Sequence, residues 1–104
     1  MAAQNVQNFL MTLTGAAQAV TVSLNGGRIR EIHLQPDPAN VNPFYVGGPD
    51  VATTTGQYVR APSASVPPPP YVIDGFADGT MRSDDWYVIG TLNEKVRVMV
   101  VPYI

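Results

Sequence analysis

The sequence predicts an all-β fold: a single-domain antiparallel β-sandwich or jelly-roll-like barrel of seven or eight short strands. Three observations lead there. Apolar residues recur with a period of two, and no segment sustains the helical period of about 3.6. The apolar runs are short and rich in Val, Ile, Phe and Tyr, the residues that fit a pleated surface. Gly, Pro and Asn stop each run after a few residues. The length, 104 residues, suits one hydrophobic core and not two, and no internal repeat stands out.

The elements follow in order. Residues 4–8 are mostly Gln and Asn, too polar to anchor in a core, so residues 1–8 are expected to form an N-terminal arm ahead of a sandwich domain spanning 9–104. Alternation at Phe9, Met11 and Leu13, and again at Val20, Val22 and Leu24, marks two strands. Asn25-Gly26 suits a tight hairpin turn, because both residues tolerate positive φ, and a strand over 28–34 is expected to pair back on the preceding one. Prolines 36, 38 and 43 make 35–43 a loop. Strands follow at 44–46 and 57–60. The stretch 61–70 carries Pro62 and the run Pro67 to Pro70, an extended rod that needs no hydrogen-bond partner, best understood as a stiff crossover. Strands at 71–73, 86–92 and 96–103 complete the set, with Asn93-Glu94 expected to join the last two as a hairpin.

Two faces are legible in the final strand. Val96, Val98 and Val100 form a core face; Lys95, Arg97, Met99 and Val101 form the other, which turns apolar toward Tyr103, and the strand ends in Ile104. The 86–92 strand is apolar on both faces, whereas a half-solvated sheet normally shows polar residues on one of them. Loops or a second subunit must cover such residues, and an oligomer interface is expected at the apolar C-terminal strand. The low charge points the same way: 13% of residues are charged and the formal net charge is -2.

Composition also excludes. The six basic residues are scattered, which argues against a nucleic-acid surface, since polyanion binding relies on clustered Lys and Arg. With no cysteine, disulfides and thiolate metal sites are out. The N-terminus lacks a basic start and apolar signal core, and no apolar run approaches a membrane span, so a soluble protein made in the cytoplasm is expected. His33, beside Glu31 on one strand face, has no nucleophile or further ligands grouped with it and is expected to be structural. Asp74, Asp78, Asp84 and Asp85 do not match a calcium loop and suit turns. Gly47-Gly48 lacks the Lys and helix start of a phosphate cradle. No catalytic, cofactor or metal site is expected, and the protein is not expected to be an enzyme.

One motif pair goes further. The run Asn42-Pro43-Phe44-Tyr45-Val46-Gly47-Gly48-Pro49-Asp50-Val51 is echoed by Asp85-Trp86-Tyr87-Val88-Ile89-Gly90-Thr91, with Gly56 and the proline stretch between them. Over roughly residues 28–101 this resembles the small all-β virion proteins of tailed bacteriophages, in which a "YVGG-x-DV" strand end precedes a glycine, a proline-flanked loop and a late "YV-x-G" strand. The resemblance implies a virion structural protein on the capsid surface, most naturally a decoration or cement protein binding across junctions of the major capsid protein, and a homotrimer on local threefold axes. On that basis Ala2, Gln4, Asn5, Pro38 and Asn40 are expected to reach toward capsid or neighbouring copies, and Met99, Val101, Tyr103 and Ile104 to cover an intersubunit seam. Two other roles remain open: a receptor- or glycan-binding module on a fibre or tail, using exposed tyrosines and Trp86, and a head-tail connector or tail component.

Overall fold

The computed structural model describes residues 6–20, 28–62, 70–74 and 81–102. Within them lie eight strands: β1 (Gln7–Thr12), β2 (Gln18–Ala19), β3 (Ile29–Pro36), β4 (Phe44–Gly47), β5 (Gln57–Val59), β6 (Tyr71–Asp74), β7 (Tyr87–Ile89) and β8 (Lys95–Pro102). They form two antiparallel four-stranded sheets, ordered β1-β8-β3-β6 and β2-β7-β4-β5. A β-sandwich is therefore the architecture, and its strand order is that of a jelly roll, a pair of Greek keys wrapped face to face.

The inner faces follow the alternation. From the first sheet Met11, Ile29, Ile32, Leu34, Ile73, Val96, Val98 and Val100 point inward; from the second come Phe44, Val46, Val59 and Val88. Full burial of such side chains contributes roughly 1.5–3 kcal/mol each, which makes this layer the main source of stability. Strand β3 needs one adjustment. Ile29 and Ile32 are three residues apart, so strict alternation would turn one of them outward. A register shift between Ile29 and Glu31 absorbs the extra residue, and both isoleucines are buried.

Several expected pairings change. Strand β1 begins at Gln7, so positions 7 and 8 belong to the sheet and not to an arm. Strand β2 pairs with β7, whereas β3 pairs with β8 and β6, so the chain crosses between sheets where a hairpin was expected. The Asn25-Gly26 turn lies outside the described residues, as does the 67–69 part of the proline run. The turn at Asn93 is real, with φ of 71° and a Glu94 N–H to Thr91 C=O bond of 3.1 Å, but it carries the chain from one sheet to the other. The physical reason is common to both cases. Alternation tells which side of a strand is apolar, and it is silent on which neighbour satisfies the backbone. Among the described strands, β4 and β5 are the consecutive pair that does form a hairpin.

That hairpin contains the glycine-rich motif. Val51 donates its N–H to the Gly48 carbonyl at 3.0 Å, closing the turn, and its side chain drops into a socket between Gly47 and Gly56. A Cβ at Gly56 would stand 2.7 Å from Val51 Cγ2 and 2.8 Å from Tyr45 Cβ, closer than real contacts allow. The motif is thus a packing device: two bare backbone positions admit one buried valine. Gly56→Ala is expected to destabilise the fold by about 1–3 kcal/mol, the usual cost of overpacking. Urea unfolding should show Val51→Ala relieving part of that loss in the double mutant, and not all of it, because Tyr45 remains in the way.

Candidate interaction surfaces

One pole of the sandwich gathers the loops 13–17, 37–43 and 90–94. Asn40 organises it. Its side-chain amide donates to the Lys95 carbonyl at 2.7 Å, and its Oδ1 accepts the Lys95 N–H at 3.0 Å, so one side chain occupies both backbone groups of the first residue of β8. Glu94 completes the clasp from the other direction, its carboxylate accepting the N–H groups of Val41 at 2.8 Å and Asn42 at 3.3 Å. Asn40 is only 6% exposed. This corrects its expected role, because a side chain spent on Lys95 does not reach out to a partner. Pro38, in the same loop, is exposed. Beyond the clasp, Val41 and Leu92 stand in solvent.

The outer face of β1-β8-β3-β6 mixes charge with apolar groups. Register places Asn8, Met99, His33 and Val72 in one row, Leu10, Arg97 and Gln35 in the next, and Val101, Glu31 and Asp74 in a third. A groove of about 470 Å³ crosses the first two of these rows, lined by Asn8, Leu10, His33, Gln35, Arg97 and Met99, with Pro70 at its border. His33 Nε2 lies 2.9 Å from Glu31 Oε1 along the same strand, an arrangement that steadies the ring. Arg97 is drawn toward Asp37, Nε to Oδ2 at 3.6 Å. Met99 and Val101 are half-buried on this face while Lys95 and Arg97 are exposed, the wet-to-covered gradient expected along β8. Ala2, Gln4, Asn5, Tyr103 and Ile104 lie outside the described residues.

The outer face of the second sheet differs in kind. None of its strands carries a charged residue. Tyr58, Tyr45 and Ile89 line up across it, and Gly47, Tyr87 and Ala19 form the next row. The Tyr45 and Tyr58 rings meet edge to face at 5.7 Å, with Tyr58 63% exposed. Trp86 does not belong to this platform. It packs against the core, and its indole N–H finds no acceptor among the described residues. The sequence showed the β7 part of this face, apolar on both sides, but not the whole of it, because its strands are scattered along the chain and their common lack of charge appears only once they are assembled.

Of the four aspartates expected in turns, Asp84 and Asp85 are in one, whereas Asp74 is a strand residue opposite Glu31. Asp85 Oδ2 accepts the Arg82 N–H at 3.3 Å and Asp84 Oδ1 lies 3.4 Å from Arg82 Nε, around the short 3-10 turn Ser83–Asp85. Asp74 ends β6, and Asp78 is outside the described residues. Among the described residues no three His, Cys, Asp or Glu side chains group to hold a metal, and no helix is long and apolar enough to cross a membrane. No protein family, curated protein or solved structure matches this chain.

Removing the clasp gives a direct test of its role in joining the pole to β8. Asn40→Ala is expected to cost about 1–3 kcal/mol, the range for stranding buried hydrogen-bonding groups. Asn42→Ala, whose side chain makes a 3.3 Å bond to Glu94, should cost less than about 1 kcal/mol in the same urea titration.

Proposed function

We propose that this chain is a structural protein of a tailed-bacteriophage virion, assembled in the host cytoplasm and positioned on the head as a decoration protein that fastens junctions of the major capsid protein. The observation that carries this reading is the aromatic outer face of β2-β7-β4-β5, whose strands carry no charged residue and whose nearest charge is Arg60, just past β5. A sheet that ends in water normally places polar and charged side chains outward, as β1-β8-β3-β6 does with Glu31, Asp74, Lys95 and Arg97. A face built from Tyr45, Tyr58, Tyr87 and Ile89 is suited to being covered by protein, since aromatic residues are enriched and charges depleted at interface centres.

Two further features support the reading. Jelly rolls are used by viral capsid domains, although lectins and cupins share them, so the architecture narrows the choice without making it. The Tyr45-Val46-Gly47-Gly48 turn with Val51 and Gly56, which bears the resemblance to phage virion proteins, forms one coherent packing unit, as a motif kept for folding would. Adhesion of this kind needs no active site. Contacts to several capsid subunits at once add through effective concentration.

A second reading is favoured by Tyr58 alone: its exposed ring, braced by Tyr45, is a platform on which a sugar could stack, in a glycan-binding module of a fibre or tail. Purified protein added to heads stripped of it separates the two. Wild type is expected to rebind at regular lattice positions visible by electron microscopy. Tyr58→Lys should lower that affinity roughly 30-fold, about 2 kcal/mol for a central aromatic anchor, with the melting temperature unchanged. Failure to bind heads, with retention on host envelope polysaccharide, would replace the decoration role with the glycan one.

A further inference from the structure

Strand β1 borders the β1-β8-β3-β6 sheet, and among the described residues no strand lies beyond it. Backbone alternation tells which groups face that border. Leu13 donates to the Glu94 carbonyl at 2.8 Å and accepts from Asn93 N–H at 2.9 Å, so position 13 faces the β8 side. Positions 11, 9 and 7 turn the same way, and even positions turn outward. The chain confirms this at the same end of the strand, on its opposite edge. Gln18 Nε2 donates to the Thr12 carbonyl at 3.1 Å, and Gln18 Oε1 accepts the Thr14 N–H at 2.9 Å. One side-chain amide therefore stands in for a partner strand's peptide at positions 12 and 14, and goes no further. Among the described residues, no strand reaches the border groups of Asn8 and Leu10, or of Val6 just before the strand.

Edge strands are usually blunted by charge, proline, a bulge or brevity. Strand β1 has none of these. It is six residues long and pairs with β8 one to one. No charged residue and no proline occurs in the first 27 positions of the chain. The other borders are defended: β2 has two residues, β5 has three, and β6 follows Pro70 and ends in Asp74.

We propose that β1 pairs antiparallel with β1 of a second copy of this chain, about a twofold axis through Asn8. The register follows from the edge itself. Inner faces must continue as inner faces across the junction, which requires even positions opposite even positions. The centre that maps positions 6, 8 and 10 onto themselves, and leaves 12 to Gln18, is Asn8. Asn8 then faces its own copy, and Val6 faces Leu10 on each side of the axis, each pair exchanging both N–H···O bonds. Val6 and Leu10 are 48% and 50% exposed in the single chain, and this register packs them against each other on one face. No like charges meet at the axis. The two four-stranded sheets become one continuous sheet, and the self-association is twofold in place of the threefold one that the phage resemblance implies. The pairing does not rest on the virion reading, since it uses a different surface from the aromatic face.

Sedimentation equilibrium over a concentration series tests it. Wild type is expected to reach twice the monomer mass, and Asn8→Pro and Leu10→Lys to remain at monomer mass with wild-type circular dichroism and melting temperature. Asn8→Pro removes only an N–H that faces the border, a position where edge strands accept proline. Leu10→Lys leaves the backbone intact and decides alone should the proline variant unfold. A wild type that stays monomeric or forms trimers overturns the proposal, as does a folded Leu10→Lys that still dimerises.

Discussion

Strand β8 is the member on which the rest of the molecule depends. It lies between β1 and β3, so two of the three ladders in its sheet run through its backbone, and its Val96, Val98 and Val100 are almost wholly withdrawn from water. Its first residue is gripped on both backbone groups by Asn40 from the 37–43 loop. The residue before it holds the same loop through the Glu94 carboxylate. Core, sheet and pole are therefore joined in one strand, whose partners β1 and β3 lie far from it in sequence. Sequence-distant pairings of this kind carry a large loop-closure cost before any contact repays it, which is why such topologies fold slowly.

The alternating faces were legible because burial acts residue by residue. Val96, Val98 and Val100 had to share a side, and the gradient from Arg97 to Met99 and Val101 on the opposite side could be foreseen from the side chains alone. Strand partners were not legible. The run around Val20 and the strand that follows it look like a hairpin because Asn25-Gly26 is a strong turn signal, and nothing local reports that β2 belongs with β7. The bulge that turns Ile29 inward was also hidden, since a one-residue irregularity leaves no mark in the pattern beyond an apparent break in alternation. Asn40 and Gln18 illustrate a third limit. Both are polar residues in segments that invite a surface role, and both are occupied with backbone groups that only the folded chain brings near.

The two outer faces divide the labour of the molecule. One mixes Glu31, His33 and Arg97 with Met99 and Val72, so it is comfortable in water while offering a groove. The other presents tyrosines and Ile89 with no charge among its strands. Because the core lies between them, a substitution on either face should leave the opposite one undisturbed, so the surfaces can be altered one at a time. The glycine and valine socket has the reverse character. Gly47, Val51 and Gly56 are coupled through direct contact, and their retention in a sequence would report the shape of the β4–β5 corner irrespective of what the protein binds.

The antiparallel alignment of β1 with β8 has a mechanical corollary. Gln7 sits opposite Val100, so both ends of the described chain leave the sandwich from the same pole. A force pulling those ends apart would load the ladder one hydrogen bond at a time, as a zipper opens, which is the weak direction of a sheet. A force applied along the strands, from one pole to the other, would load the β1, β8 and β3 ladders together in shear. A protein of this shape withstands tension when it is held by its faces or by its two poles, and yields readily when it is tethered by its ends.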